Sequence, residues 1–255
     1  MIPLRDNLES ERIPFLTYAL LALNVVAFGL ELVAMPQPGV VADAGGGRQL
    51  LLQTGFEQMI WTFGLRPAEL LDPSLALAPL TPLPEAATLL TSMFLHGGWL
   101  HLGGNMLFLW VFADNIEDAL GHVRFLLFYL LGGLAAAGLQ IAVEPASQVP
   151  MVGASGAIAA VLGAYLMLYP RARVLTLVPI FVFIRLVEIP ALFFLGLWFL
   201  FQLLGAPGGG GTAWFAHIGG FVFGLFAVHL FRSRKRPPPS VRHHPRARSL
   251  FSDEL

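Results

Sequence analysis

Long apolar stretches constrain the fold of this chain more than any other feature of its sequence. Six of them, each about 14 to 21 residues long, run over 14–34, 100–113, 125–143, 154–169, 190–204 and 214–231. A helix needs roughly 20 apolar residues to cross the ~30 Å hydrocarbon core of a bilayer. The chain is 56% hydrophobic and only 12% charged, whereas charged residues make up about a quarter of a soluble domain. The sequence therefore predicts an all-α polytopic membrane protein, a six-transmembrane-helix bundle with a long first outer loop.

Two apolar segments need a separate interpretation. The first stretch is longer than the apolar core of a signal peptide and has no convincing small-residue cleavage site, so we interpret it as an uncleaved span. Between the fourth and fifth stretches, residues 174–189 are apolar but include Pro179, Arg185 and Glu188. Charged residues are costly inside a bilayer, which favours an interfacial position for this segment over a seventh span.

The distribution of basic residues predicts the orientation. Seven of the fifteen lysines and arginines follow the last apolar stretch, and short cytoplasmic segments are enriched in these residues. We therefore expect a cytoplasmic C-terminus, and an even number of spans puts the N-terminus on the same side. The expected organisation is a cytoplasmic N-terminal segment at 1–13, a six-span domain at 14–231 and a basic, disordered cytoplasmic tail at 232–255.

Polar residues cluster near the outer ends of three spans that run in the same direction. His96, His101 and Asn105 lie near the beginning of the second span, Ser155 near that of the fourth and His217 near that of the sixth. The clusters are thus predicted to share one depth. Buried polar residues are costly in a membrane and often functional, so these five residues are candidates for a site.

Small residues around the clusters predict how the spans meet. His101 and Asn105 are four positions apart and therefore share one helix face. Small residues at every fourth position let two membrane helices approach closely. A contact between the fourth and sixth spans would bring Ser155 within hydrogen-bonding distance of His217. The small residues are Gly153, Gly156, Ala160 and Ala164 at the fourth span and Gly220 and Gly224 at the sixth.

The residue types in these clusters fit nucleophilic catalysis. A serine hydroxyl becomes an effective nucleophile when a base takes its proton, and neutral imidazole suits that task. Ser155 and His217 are such a pair, and His101, Asn105 and the backbone N–H of Ser155 could stabilise an oxyanion. The nearby carboxylates lie at the inner end of the second span, except that of Glu144, which lies at the outer end of the third. None of them is placed as a third member of a triad. The pattern therefore favours a dyad over a triad.

A purely structural interpretation is open for each of these residues at this point. Serine, histidine and asparagine often pack or hydrogen-bond between membrane helices. Ser155 could be a small packing residue, and His101, Asn105 and His217 could join helices. His96 fits a structural role and a cavity-lining role equally well.

Three motifs together resemble the rhomboid family of intramembrane serine proteases, in its bacterial six-span form. They are HGGWLHLGGNM, GASGA and AHIGGFVFG, and they occur in this order on alternate spans. The resemblance implies that Ser155 is the nucleophile, His217 the general base, and His101 and Asn105 the oxyanion donors. The glycines that support the motifs are Gly153, Gly156, Gly220 and Gly224.

The resemblance also implies a reaction and a location. The reaction is hydrolysis of a peptide bond in or near the transmembrane segment of a single-span or other membrane protein, within the lipid bilayer. No metal, cofactor or nucleic acid is implied, and the expected location is the bacterial inner membrane. A substrate helix would approach past the fifth span, and the glycine-rich residues 205–211 would form a cap.

Two further details bear on the resemblance. The segment EDALG at 117–121 looks like the family's structural acidic position after the second span. The adjacent Trp-Arg pair that many relatives carry in the first outer loop has no counterpart here, because Trp61 and Arg66 stand apart.

Other functions fit the sequence less well. Metal-dependent hydrolysis would use an H-E-x-x-H helix, which the sequence lacks, and an aspartyl protease would need aspartates in the middle of spans. A catalytically silent rhomboid-like adaptor would be expected to lack Ser155 or His217. A small transporter would favour repeated broken helices.

Overall fold

The computed structural model describes residues 1–35, 37–43, 49–75, 83–180, 183–206, 213–232 and 240–241. The described helices are α1 (Phe15–Ala34), α2 (Gly55–Phe63), α3 (Pro67–Leu71), α4 (Thr88–Thr91), α5 (Trp99–Leu120), α6 (His122–Val143), α7 (Ser155–Leu168), α8 (Ala191–Gly205) and α9 (Trp214–Phe231). The described strands are β1 (Ile2–Asp6), β2 (Leu8–Glu9), β3 (Pro38–Asp43), β4 (Gln49–Thr54), β5 (Arg173–Ile180), β6 (Phe183–Pro190) and β7 (Ser240–Val241). Each of the six predicted spans coincides with one long helix, which confirms the helical bundle.

The long helices differ in how well they could cross a membrane alone. Among the described residues, α1, α6 and α9 are long and apolar enough by length and composition. Helices α7 and α8 are apolar but have only 14 and 15 residues. Helix α5 has 22 residues and carries His101 and Asn105, whereas His96 lies before its first residue, Trp99.

The second span is longer than the sequence predicted. The expected end at residue 113 was wrong, because α5 continues through its charged end to Leu120. Glu117 accepts hydrogen bonds from the backbone N–H groups of Leu16 and Thr17 and from the Thr17 hydroxyl, at 2.7 to 2.9 Å. First-turn N–H groups have no acceptor within their own helix. The buried carboxylate of Glu117 therefore caps α1 and joins it to α5.

The segment between α7 and α8 forms a β-hairpin. Strand β5 pairs antiparallel with β6, and β1 joins β5 as the third strand of this sheet. As predicted, the segment does not form a seventh helical span. Its interfacial position stays a prediction. A short apolar run does not by itself distinguish a strand from a helix, which is why the hairpin was not predicted.

The remaining strands lie in connections and in the tail. Strand β3 pairs with β4 within the long connection between α1 and α5, and β7 pairs with β2. Most of the tail at 232–255 lies outside the described residues. So does most of the glycine-rich loop at 205–211, of which only Gly205 and Ala206 are described.

Helix α7 lies at the centre of the bundle. Its residues 157–165 are all buried, and it contacts α5, α6, α8 and α9. The approach to α9 is closest: a methyl group added at Gly220 would lie 2.1 Å from the carbonyl oxygen of Gly156. One added at Gly224 would lie 2.0 Å from that of Ala160. The predicted contact between small residues of the fourth and sixth spans is therefore present.

Candidate active site

Ser155 and His217 meet where α7 and α9 begin. Ser155 is the first residue of α7, and His217 lies in the first turn of α9. The Ser155 Oγ atom is 2.8 Å from His217 Nε2, and both residues are partly buried. The close packing of the two helices thus brings together the two residues that the sequence singled out.

His101 and Asn105 face the same place from α5. The backbone N–H of Gly97 donates to His101 Nδ1 at 3.3 Å, so the ring proton of the neutral imidazole lies on Nε2. A Cβ atom added at Gly153 would lie 2.7 Å from His101 Nε2 and 3.6 Å from Asn105 Nδ2. Asn105 Nδ2 is buried and has no hydrogen-bond acceptor among the described residues. Two N–H donors therefore converge beside the segment that leads into Ser155.

Gly153 makes this convergence possible. Its φ of +122° lies in a region that favours glycine, and a side chain there would collide with His101. Its N–H donates to the carbonyl oxygen of Ser92 at 2.8 Å, which fixes the turn before α7. The backbone N–H of Ser155 then lies at a helix N-terminus, where the helix dipole favours negative charge. These features suit an oxyanion.

A cavity of about 540 Å³ opens beside these side chains. Its walls come from α5, α7, α8 and α9, and its apolar part includes Phe108, Ile158 and Leu162. Ile158 and Leu162 follow Ser155 by three and seven positions and so lie on the same face of α7. The volume of the cavity is within the size range of small-ligand sites. Its polar lining residues are His101, Asn105, Ser155, Gln202 and His217.

Three residues around His217 were not predicted from the sequence. Gln202 Oε1 is 2.8 Å from His217 Nδ1. The rings of Trp198 and Trp214 flank the imidazole, with centroids 6.0 and 6.4 Å away. Gln202 is the one polar amide in the apolar sequence ALFFLGLWFLFQLLG of α8, and that isolation within a span was the signal that could have identified it.

His96 lies in the packing next to the site. Its side chain is buried, and its backbone N–H donates to the Glu31 carboxylate at 3.1 Å. Its ring contacts the ring of His101 edge to face, with centroids 5.2 Å apart. His96 is not among the residues that line the cavity, so the structure favours a structural role.

The long loop between α1 and α5 carries a buried arginine, Arg66, next to the point where the loop joins the site. Its guanidinium forms a buried ion pair with Glu69 and lies 5.6 Å from the ring centroid of Trp61. Trp61 and Arg66 stand apart in the sequence but are in cation–π contact. The adjacent Leu65 exchanges backbone hydrogen bonds with Met151, so this loop is joined directly to the segment that precedes Ser155.

Comparisons with known proteins agree with this architecture. A family model, the Rhomboid domain, matches residues 84–234, more than half of the 255 residues. Rhomboid protein 1, mitochondrial, of Saccharomyces cerevisiae is 30% identical over 149 residues, which are 54% of this chain and 40% of that protein. Rhomboid protease GluP of Bacillus subtilis is 36% identical over 142 residues, 55% of this chain and 25% of that protein.

A shorter match has higher identity. Putative rhomboid protease YdcA of Bacillus subtilis is 41% identical over 78 residues, 31% of this chain and 39% of that protein. The chain spans less than half the length of these relatives. The family match nevertheless includes helices α5 to α9 and all three motifs, and the chain therefore belongs to the rhomboid family of integral membrane proteins.

Proposed function

We propose that this chain is an intramembrane serine endopeptidase that hydrolyses a peptide bond in or near the transmembrane segment of another membrane protein. The observation that best supports the proposal is the 2.8 Å hydrogen bond between Ser155 Oγ and His217 Nε2 at the cavity. Rhomboid protease GluP and Putative rhomboid protease YdcA are named as proteases, which adds support from the family.

The first half of the proposed reaction forms an acyl-enzyme. His217 Nε2 takes the Ser155 hydroxyl proton as Oγ attacks the substrate carbonyl carbon. The negative charge that develops on the carbonyl oxygen is stabilised by His101 Nε2–H, by the Asn105 amide and by the backbone N–H of Ser155. The carbon–nitrogen bond then breaks, and the His217 imidazolium gives its proton to the leaving amine.

The second half releases the acyl group with water. His217 takes a proton from the attacking water, and the same three donors stabilise the second oxyanion. The bond between Ser155 Oγ and the acyl carbon breaks, and Oγ recovers its proton from His217. The products are two peptide fragments, and the site returns to its starting protonation state.

Substrate access is proposed from the lipid side, past α8. This helix exposes large apolar side chains, among them Phe193, Leu200 and Phe201, which could pack against a transmembrane helix. The substrate must unwind locally so that its carbonyl reaches Ser155. Non-helical backbone is tolerated at membrane depth only within protein or a polar cavity, and the cavity beside Ser155 offers such a place.

We propose a bacterial inner-membrane location with both termini cytoplasmic.

A labelling and cleavage experiment tests this function. The purified protein, in liposomes, is incubated with a panel of single-span proteins and separately with a fluorophosphonate probe that labels activated serines. We expect cleavage of at least one substrate and labelling at Ser155, located by mass spectrometry. Ser155→Ala should lose labelling and nearly all cleavage, whereas the matched control Ser147→Ala, in the loop before α7, should keep both. A folded wild-type protein without labelling or cleavage would indicate a catalytically silent adaptor.

The proposed oxyanion donors predict a specific kinetic change. His101→Ala and Asn105→Ala are each expected to lower kcat by about 10²- to 10³-fold, the usual effect of removing one such donor. The KM should change little, because these donors act on charge that develops in the transition state. Steady-state kinetics with a cleaved single-span substrate measure both constants. A rise in KM with unchanged kcat would contradict the role.

A further inference from the structure

Gln202 connects the helix α8 to the proposed base through a defined pair of hydrogen bonds. Its side chain is buried, with 6% of its surface exposed. The amide Nε2 donates to the carbonyl oxygen of Trp198, one turn earlier on α8, at 3.1 Å. The amide Oε1 lies 2.8 Å from His217 Nδ1. Because the carbonyl of Trp198 can only accept a hydrogen bond, it selects the orientation in which the amide oxygen faces the histidine.

The amide oxygen determines which nitrogen of His217 carries the proton. An amide oxygen only accepts hydrogen bonds, so the nitrogen that faces it must be Nδ1–H. In a neutral imidazole the other nitrogen, Nε2, is then free to accept the Ser155 hydroxyl proton. With the proton on Nε2 instead, Nε2–H could only donate to Ser155 Oγ, and it could not take the proton of serine.

We infer that Gln202 is a positioning residue that holds His217 in the Nδ1–H form and so keeps Nε2 available to Ser155. This inference rests on the proposed serine protease function. Gln202 lines the cavity, but its amide oxygen faces His217 Nδ1 and not the reacting atoms Ser155 Oγ and His217 Nε2, so it acts through His217. The role is comparable to that of the acid in a serine protease triad, which fixes the tautomer and orientation of its histidine.

A neutral amide in this position fits its surroundings. Gln202 lies in an apolar helix next to Trp198 and close to Phe199, where an isolated carboxylate would be costly. The amide supplies the orienting acceptor without adding a charge. The same bond joins α8 to α9, so the alignment of the base depends on where α8 lies.

Two substitutions separate the acceptor atom from the bulk of the side chain. Gln202→Met keeps a similar length but removes the amide oxygen, whereas Gln202→Glu keeps an oxygen that can accept from Nδ1. The control Leu203→Met changes the next residue of α8, whose side chain is 45% exposed. We expect Gln202→Met to lower kcat about tenfold with little change in KM, the size expected for one hydrogen bond. Gln202→Glu should recover most of the rate, and Leu203→Met should match the wild type.

The deciding measurement is the position of the ring proton. Proteins are labelled with ¹⁵N-histidine, and the His217 signals among the seven histidines are assigned by comparison with His217→Gln. We expect Nδ1–H in the wild type and a shift of the proton toward Nε2 in Gln202→Met. An unchanged proton position in Gln202→Met would overturn the inference, even if kcat fell, because a purely structural role of Gln202 would produce that result.

The same spectra separate this inference from the proposed function. Ser155→Ala lacks the proposed nucleophile but retains His217 and Gln202, so the proton position can be compared with and without Gln202→Met in that background. If the wild type fails to react with the fluorophosphonate, the protease proposal fails. The tautomer comparison still decides whether Gln202 orients His217.

Discussion

The Ser155→Ala/His217→Ala double variant is expected to cleave substrate no more slowly than the Ser155→Ala single variant. His217 Nε2 first takes the proton of Ser155 Oγ, 2.8 Å away, and its later steps act on the acyl-enzyme that Ser155 forms. Once the hydroxyl is absent, none of these steps can occur. Residues that act as one unit are strongly non-additive in this way. His217→Ala alone should lower kcat by about 10²- to 10⁴-fold, the usual contribution of a positioned general base.

The kinetics of all three variants on one single-span substrate test this prediction. His229→Ala is the matched control, because His229 is also on α9 but is exposed near its other end. It should cleave like the wild type. If kcat of the double variant fell by the product of the two factors seen in the single variants, Ser155 and His217 would contribute independently. That result would contradict the dyad.

Gly224→Ala is expected to destabilise the fold and to abolish labelling of Ser155. The added methyl group would lie 2.0 Å from the backbone carbonyl oxygen of Ala160. A backbone atom cannot avoid this clash by changing rotamer, as a side chain can. Helices α7 and α9 must therefore separate. Overpacking of this kind typically costs about 1 to 3 kcal/mol, which outweighs the gain of about 1 kcal/mol that alanine brings over glycine in a helix.

Thermal unfolding and fluorophosphonate labelling of the same samples measure the two effects. Gly138→Ala on α6 is the matched control, because a methyl group there meets nothing within 4 Å. That variant should unfold at the wild-type temperature or slightly above it and label normally. If Gly224→Ala also unfolded and labelled like the wild type, that result would contradict the close packing of α7 against α9.

The bundle and the main candidate residues could be predicted because their signals are local. Apolar length predicts a span whatever packs against it, and α9 begins and ends at the predicted residues, 214 and 231. Small residues four positions apart predicted the contact of α7 with α9, because this spacing places them on one helix face and lets two helices approach closely. The shared depth of Ser155 and His217 was predicted from span direction and stays a prediction.

Features that depend on distant partners could not be predicted in the same way. The predicted second span ended at residue 113 because the charges of Asp114 and Glu117, which follow, are unfavourable in lipid, yet the Glu117 carboxylate is satisfied by the first turn of α1. Gln202 had no assigned role because its partner depends on how α8 is rotated against α9. Trp61 and Arg66 are separated in the sequence and meet only because the chain turns between them, between α2 and α3.

The shortness of α8 has a consequence for the lipid around it. Its 15 residues give a length of about 22 Å, about 8 Å less than the hydrocarbon core of a typical bilayer. Phe193, near one end, and Leu204, near the other, are both more than 60% exposed. Bilayers accommodate a short apolar surface by thinning locally. If the chain has the proposed function, a substrate helix that spans an ordinary bilayer would be longer than the thinned hydrocarbon core beside α8. One end of that helix would then lie outside the hydrocarbon and would lose the lipid that keeps it helical.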